Sequence, residues 1–283
     1  MKRLLPLMVL LCGCDTVEFS KIQVSEPEIG TLCTLKNEKI NESSGVAISN
    51  LKKGLYWTHN DSGDAPNLFA FDANGNDFGT YKLKGITVID CEDMESRLID
   101  GKSFLFLGDI GDNLKVRKSV KVFKVAEPNV RVRNTDVGRF ETMELVYPDG
   151  AKNCETLLVD KEGNIELVTK DESGVCGVYF GKSGLKSQTM KKLGEFKIES
   201  AISGLRLATG GCFSPDTKQV LIRTYGPAHI FYGSFLDWFK SKPAQLGLAL
   251  EAQGEAICFD YGNKRAITTS EGKPCKVSFS RLP

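Results

Sequence analysis

Five oxygen-bearing side chains, Ser44, Glu92, Glu155, Thr209 and Glu255, each open a short run of small or apolar residues, and successive starts lie 46 to 63 residues apart. If the five runs are brought side by side, three carboxylates meet. At a separation of ~5 Å and an effective dielectric of ~20, each pair repels by about 3 kcal/mol. Protons, basic neighbours or a metal ion must answer that charge. An all-oxygen set suits calcium better than zinc or copper, and better than magnesium with its strict octahedral demand. Two other uses stay open: each glutamate caps a neighbouring run by accepting backbone amides, or two of them form a catalytic acid–base pair.

A second set of candidates lies in polar loops. Asn60-Asp61-Ser62-Gly63-Asp64 and Gly108-Asp109-Ile110-Gly111-Asp112-Asn113 align with Asp61 on Asp109, Gly63 on Gly111 and Asp64 on Asp112. Repeated tight turns would use these residue types, because Asp and Asn bond the backbone two residues on and Gly accepts positive φ. Alternatively the carboxylates point over a shared opening as metal, base or substrate contacts. Lys170 and Arg223 occupy comparable places in later units and would add positive charge for an anionic ligand such as phosphate. Asn60, Asp61, Asp109, Lys170 and Arg223 are therefore the candidate ligand-binding residues. His59 and His229 are the only histidines, and neither has a nucleophile at recognisable spacing. The chain contains no G-x-S-x-G elbow, no phosphate-binding G-x-x-x-x-G-K-[ST] loop and no dinucleotide fingerprint.

The elements that must position these residues read as strands. Runs rich in Val, Ile, Phe, Tyr and Thr recur between Gly, Asn, Asp and Pro, and long amphipathic helical periods are almost absent. Four strands per unit at this spacing predict an all-β fold, a five-bladed β-propeller. The fifth unit runs out of chain after its third strand, so residues 31–35 are expected to supply the fourth and close the ring, removing a free sheet edge. Residues 235–239 predict one short helical turn with a packing role.

In 283 residues, 37 Lys and Arg balance 36 Asp and Glu, so no electrostatic footprint for nucleic acid stands out. Met1-Lys2-Arg3 and the apolar run at residues 4–11 have the form of a secretory signal. Leu11-Cys12-Gly13-Cys14 resembles the bacterial lipobox, which implies a lipid on Cys14 and removal of residues 1–13. Residues 14–29 are then anchor and tether, and residues 30–283 the propeller. Asp15 resembles the signal that keeps some lipoproteins in the inner membrane, facing the periplasm. Seven cysteines remain, and Cys33, on the strand expected beside that of Cys275, predicts a disulfide across about 240 residues, worth roughly 4–5 kcal/mol in the loop-entropy picture.

The order Ser44, Glu92, Glu155, Thr209, Glu255, one per blade, resembles the central calcium site of the calcium-activated nucleotidases, or soluble apyrases, which are five-bladed propellers. That family has Ser or its backbone on blades one and four, so Thr209 is a departure. His59-Asn60-Asp61-Ser62-Gly63-Asp64, Glu92-Asp93, Ala126-Glu127-Pro128 and Asn153-Cys154-Glu155 also look like segments of uncharacterised exported bacterial propeller proteins. The expectation is an envelope-anchored calcium-binding module, monomeric, that takes a small polar or anionic ligand or a protein partner. The alternative is a calcium-dependent hydrolase of phosphate esters or anhydrides.

Overall fold

The computed structural model describes residues 29–283, so Cys14 and the signal segment lie outside the described residues. Five sheets, antiparallel apart from a short parallel edge strand on two of them, form five blades. Their innermost strands are Ser43–Ile48, Cys91–Ile99, Cys154–Val159, Ala208–Phe213 and Gly254–Phe259, and these pack on one another around the axis. In the fifth blade the fourth strand is Ile29–Thr34, antiparallel to Lys276–Arg281. The N-terminal strand therefore closes the ring, as its sequence position predicted.

Alternation of apolar residues fills the wedges between blades. Trp57, Leu68, Tyr81, Leu105 and Phe123 join blades one and two, while Phe106, Val122, Leu157 and Tyr179 join two and three. Phe196, Phe213, Phe231 and Trp238 join three and four. The wedges that close the circle hold Ile230, Ile257, Ile267, Val46 and Phe71. Trp238 opens the short 3-10 turn Trp238–Lys240, which overlaps the end of the expected 235–239 segment, and its Nε1 donates to Glu166 Oε2 at 2.7 Å, so the turn has a packing role. Two outer edges are covered by borrowed strands: Asp136–Val137 lies beside Asp77–Leu83, and Ser187–Thr189 beside Phe140–Val146. Short covered edges deny foreign strands a template.

One prediction fails here. Cys33 and Cys275 are free thiols. Cys33 pairs across the sheet with Val277, and Leu35 donates its N–H to the carbonyl of Cys275, so the two cysteines stand on a diagonal. Diagonal partners are ~7–8 Å apart, too far for disulfide geometry without backbone movement.

Candidate metal centre at the channel mouth

All five inner strands break register against their second strands at the same place. In each, one residue lacks a cross-strand partner, and it is Ser44, Glu92, Glu155, Thr209 or Glu255. A bulge of this kind re-aims a side chain and is common beside functional sites. Here it recurs at one end of every inner strand and turns the five side chains toward the axis.

The bulges also fix which loop residues are equivalent. Asn60 pairs with Ser43 and Asp109 with Cys91, so Asn60 corresponds to Asp109 and the sequence alignment of Asp61 on Asp109 is off by one. Asn60 Oδ1 accepts the N–H groups of Asn41 and Glu42, and Asp109 Oδ1 those of Ile89 and Asp90. Both tie the incoming loop of their blade. Asp109 is further bound to Arg117 at 3.0 Å and is buried, so neither Asn60 nor Asp109 is offered to a ligand. The counterparts of Asp61 are Ile110, Lys170, Tyr225 and Glu271, each following the partner of a pre-bulge residue. Arg223 is not among them. It is buried, pairs with Glu251 and donates to the carbonyls of Ala256 at 2.8 Å and Thr269 at 3.1 Å, bracing blade four against blade five.

The hydroxyls of the inner set are engaged as donors: Ser44 Oγ to the Glu92 carbonyl at 2.7 Å and Thr209 Oγ1 to the Gly254 carbonyl at 2.9 Å. Glu155 is held by both oxygens on Lys170 Nζ, at 2.6 and 2.5 Å, and Lys170 also donates to Tyr225 Oη at 3.1 Å. Among the described residues the other carboxylates form no direct ion pair, although Arg117 acts on Asp90 and Lys170 on Glu255 and Glu271 from farther away. One oxygen each of Asp61, Asp90 and Glu92 lie within 4.8 Å of one another, and so do one each of Asp61, Glu255 and Glu271. Asp90 and Glu271 were missed in the sequence because they share no residue type with their counterparts in other blades.

Electrostatics follow from this crowding. Burial pushes Asp61 up to about 7, and Asp90 and Glu271 add to it. Glu255 rises to about 8 through burial and then through Glu271 and Glu155. Glu92 is raised well above its ordinary value by burial and by Glu155, Asp61 and Asp90. Asp90 and Glu271 are also raised, chiefly by burial. Lys170 is lowered by burial, but the Glu155 carboxylate outweighs that and holds it charged.

These residues fit a hard cation. The donors are all oxygen. Asp61 Oδ1 and Glu255 Oε2 are buried with no hydrogen-bond partner among the described residues. A Cβ on Gly111 would stand 2.2 Å from Glu92 Oε1 and 2.3 Å from Asp90 Oδ2, so the absence of a side chain there leaves those carboxylates their room.

Below the mouth the channel is filled from blade two. Asp93 Oδ2 accepts the N–H groups of Leu157 at 2.9 Å and Gly211 at 3.2 Å, and Glu95 those of Val159 at 2.7 Å and Phe213 at 3.0 Å. Arg97 pairs with Glu95 and donates to the carbonyls of Val159 and Phe213. Blade four is not adjacent to blade two, so these side chains cross the axis and seal it.

No protein-family model matches the chain, and no curated protein matches it by sequence. Among solved structures it is similar to a gluconolactonase from Xanthomonas campestris, 12% identical over 92% of this chain and 91% of that one, with a TM-score of 0.49. It is also similar to the PQQ-bound aldose sugar dehydrogenase of Streptomyces coelicolor, 8% identical over 90% and 98%, with a TM-score of 0.48. The chain is a five-bladed β-propeller.

Proposed function

We propose that this protein is an envelope-anchored propeller that binds calcium at its channel mouth and presents the ion to a small polar or anionic ligand or a protein partner. The observation that carries the reading is the convergence of Asp61, Asp90, Glu92, Glu255 and Glu271 on an all-oxygen well beside Glu155, whose carboxylate is taken up by Lys170. Bound calcium would relieve their repulsion and rigidify the ring. Calcium should therefore raise the melting temperature of EDTA-stripped protein, and Asp61→Asn should abolish that response. Melting that is insensitive to calcium in the wild-type protein would sink the proposal.

A hydrolytic use is favoured by one feature, the Lys170–Tyr225 pair beside the carboxylates, which puts a cation and a hydroxyl where a phosphate ester or anhydride would sit. Calcium would supply a Lewis acid for phosphate oxygens. Calcium-dependent phosphate release from a panel of nucleotides and sugar phosphates, lost in Glu155→Gln, is the result expected of a hydrolase. Release from none of them leaves the binding module.

The anchor is proposed from Leu11-Cys12-Gly13-Cys14. Cys14→Ala should move the protein from the membrane to the soluble fraction. Equal membrane retention of both forms would remove lipid from the account.

A further inference from the structure

We propose that the channel mouth holds two divalent cations, with Asp61 shared between them, Asp90 and Glu92 completing one position, and Glu255 and Glu271 the other. This rests on the cation-binding reading above and goes beyond it in number and arrangement. Calcium takes oxygens at ~2.3–2.6 Å, so oxygens on opposite sides of one ion stand up to ~5 Å apart. Each of the two groups of three, with its oxygens within 4.8 Å, therefore fits a single coordination sphere. The groups have only Asp61 in common.

Glu155, the inner-ring glutamate of the blade next to that of Glu92, is held on Lys170 through both oxygens, which withdraws it from the set. The five remaining carboxylates face one another. With all five ionised, one divalent ion leaves a formal charge of −3 on the group and two leave −1, before the nearby Arg117 and Lys170 charges that act on Asp90, Glu255 and Glu271.

On one side Glu255, 6% exposed, turns an unpartnered Oε2 into the cluster. On the other, Glu92 Oε1 and Asp90 Oδ2 stand side by side against Gly111, where a Cβ would come within 2.3 Å of both. Asp61 Oδ1, between them, also lacks a hydrogen-bond partner. Two hard cations bridged by one carboxylate would form a clamp for an anionic oxygen ligand such as a phosphate group.

Calorimetric titration of calcium into EDTA-stripped full-length protein in detergent, with bound metal counted by mass spectrometry, tests the arrangement. Two calcium ions per chain are expected. Glu271→Gln should weaken one binding step at least tenfold and leave the other within about twofold, and Asp90→Asn should do the same to the opposite step. Asp61→Asn should weaken both. Each change removes a repelling charge from the cation-free site, so the variants should fold, which circular dichroism checks. One ion per wild-type chain, or substitutions that weaken every step alike, overturns the shared arrangement and leaves the single-ion reading standing. No bound calcium overturns both.

Discussion

Gly111 shows how one missing side chain shapes the centre. It lies beyond the second strand of blade two, where the neighbouring Ile110 turns into the core between blades two and three. With Ile110 inward, only a hydrogen separates Gly111 from the Glu92 and Asp90 carboxylates. Gly111→Ala should therefore push both aside and weaken calcium binding about tenfold or more, with little change in secondary structure. An unaltered affinity would show that these carboxylates do not hold the ion. The glutamates of the inner ring were legible in the sequence because each opens a repeated run. Glu271 was not, since its counterparts are Asp, Ile, Lys and Tyr, and a position that changes type in every blade leaves no pattern to read. Asp61 was paired with Asp109 because both precede a Gly-Asp by one residue, and the bulge that shifts the true register by one has no signature in residue type.

Among the elements, the inner strand Cys91–Ile99 does the most. Innermost strands of a propeller leave backbone N–H groups facing the axis, and buried unpaired groups cost about 1–3 kcal/mol each. Asp93 and Glu95 satisfy four of them on blades three and four. Asp93→Ala should strip the N–H groups of Leu157 and Gly211 of their acceptor and lower stability by about 2–4 kcal/mol in urea unfolding, with faster amide exchange at those two residues. Exchange that stays slow would mean that the backbone finds other partners. Strand positions and blade count could be read from apolar runs, whereas this cross-axis bracing could not: Asp93, Glu95 and Arg97 look like the polar face of an ordinary edge until the ring brings blade four opposite blade two.

For the whole molecule, buried acids set a pH dependence separate from the mouth. Burial pushes Glu95 and Glu166 each up to about 7 from an ordinary 4.5, with Asp160 and Asp237 adding to Glu166. Between those values the folded chain keeps protons that the unfolded chain has released, so the stability they contribute at low pH is lost as pH rises through about 7. His59, lowered by burial to about 4, acts oppositely, adding stability as pH rises toward 6.5. The informative measure is thus a difference between variants. In EDTA, Glu166→Gln, which keeps an acceptor for Trp238, should flatten the fall in unfolding free energy between pH 5 and 8 by up to about 3 kcal/mol. Identical slopes in the two proteins would remove Glu166 from the titrating set.

Ring closure by Ile29–Thr34 also sets an order of events in the cell. That strand leaves the ribosome ahead of the four complete blades, yet its partner Lys276–Arg281 follows it by about 240 residues. At ~5–20 residues per second, some 10–50 seconds separate the two. Throughout that interval the nascent chain carries an unmatched leading strand and an incomplete circle, so whatever machinery handles it must shield both until Lys276–Arg281 arrives.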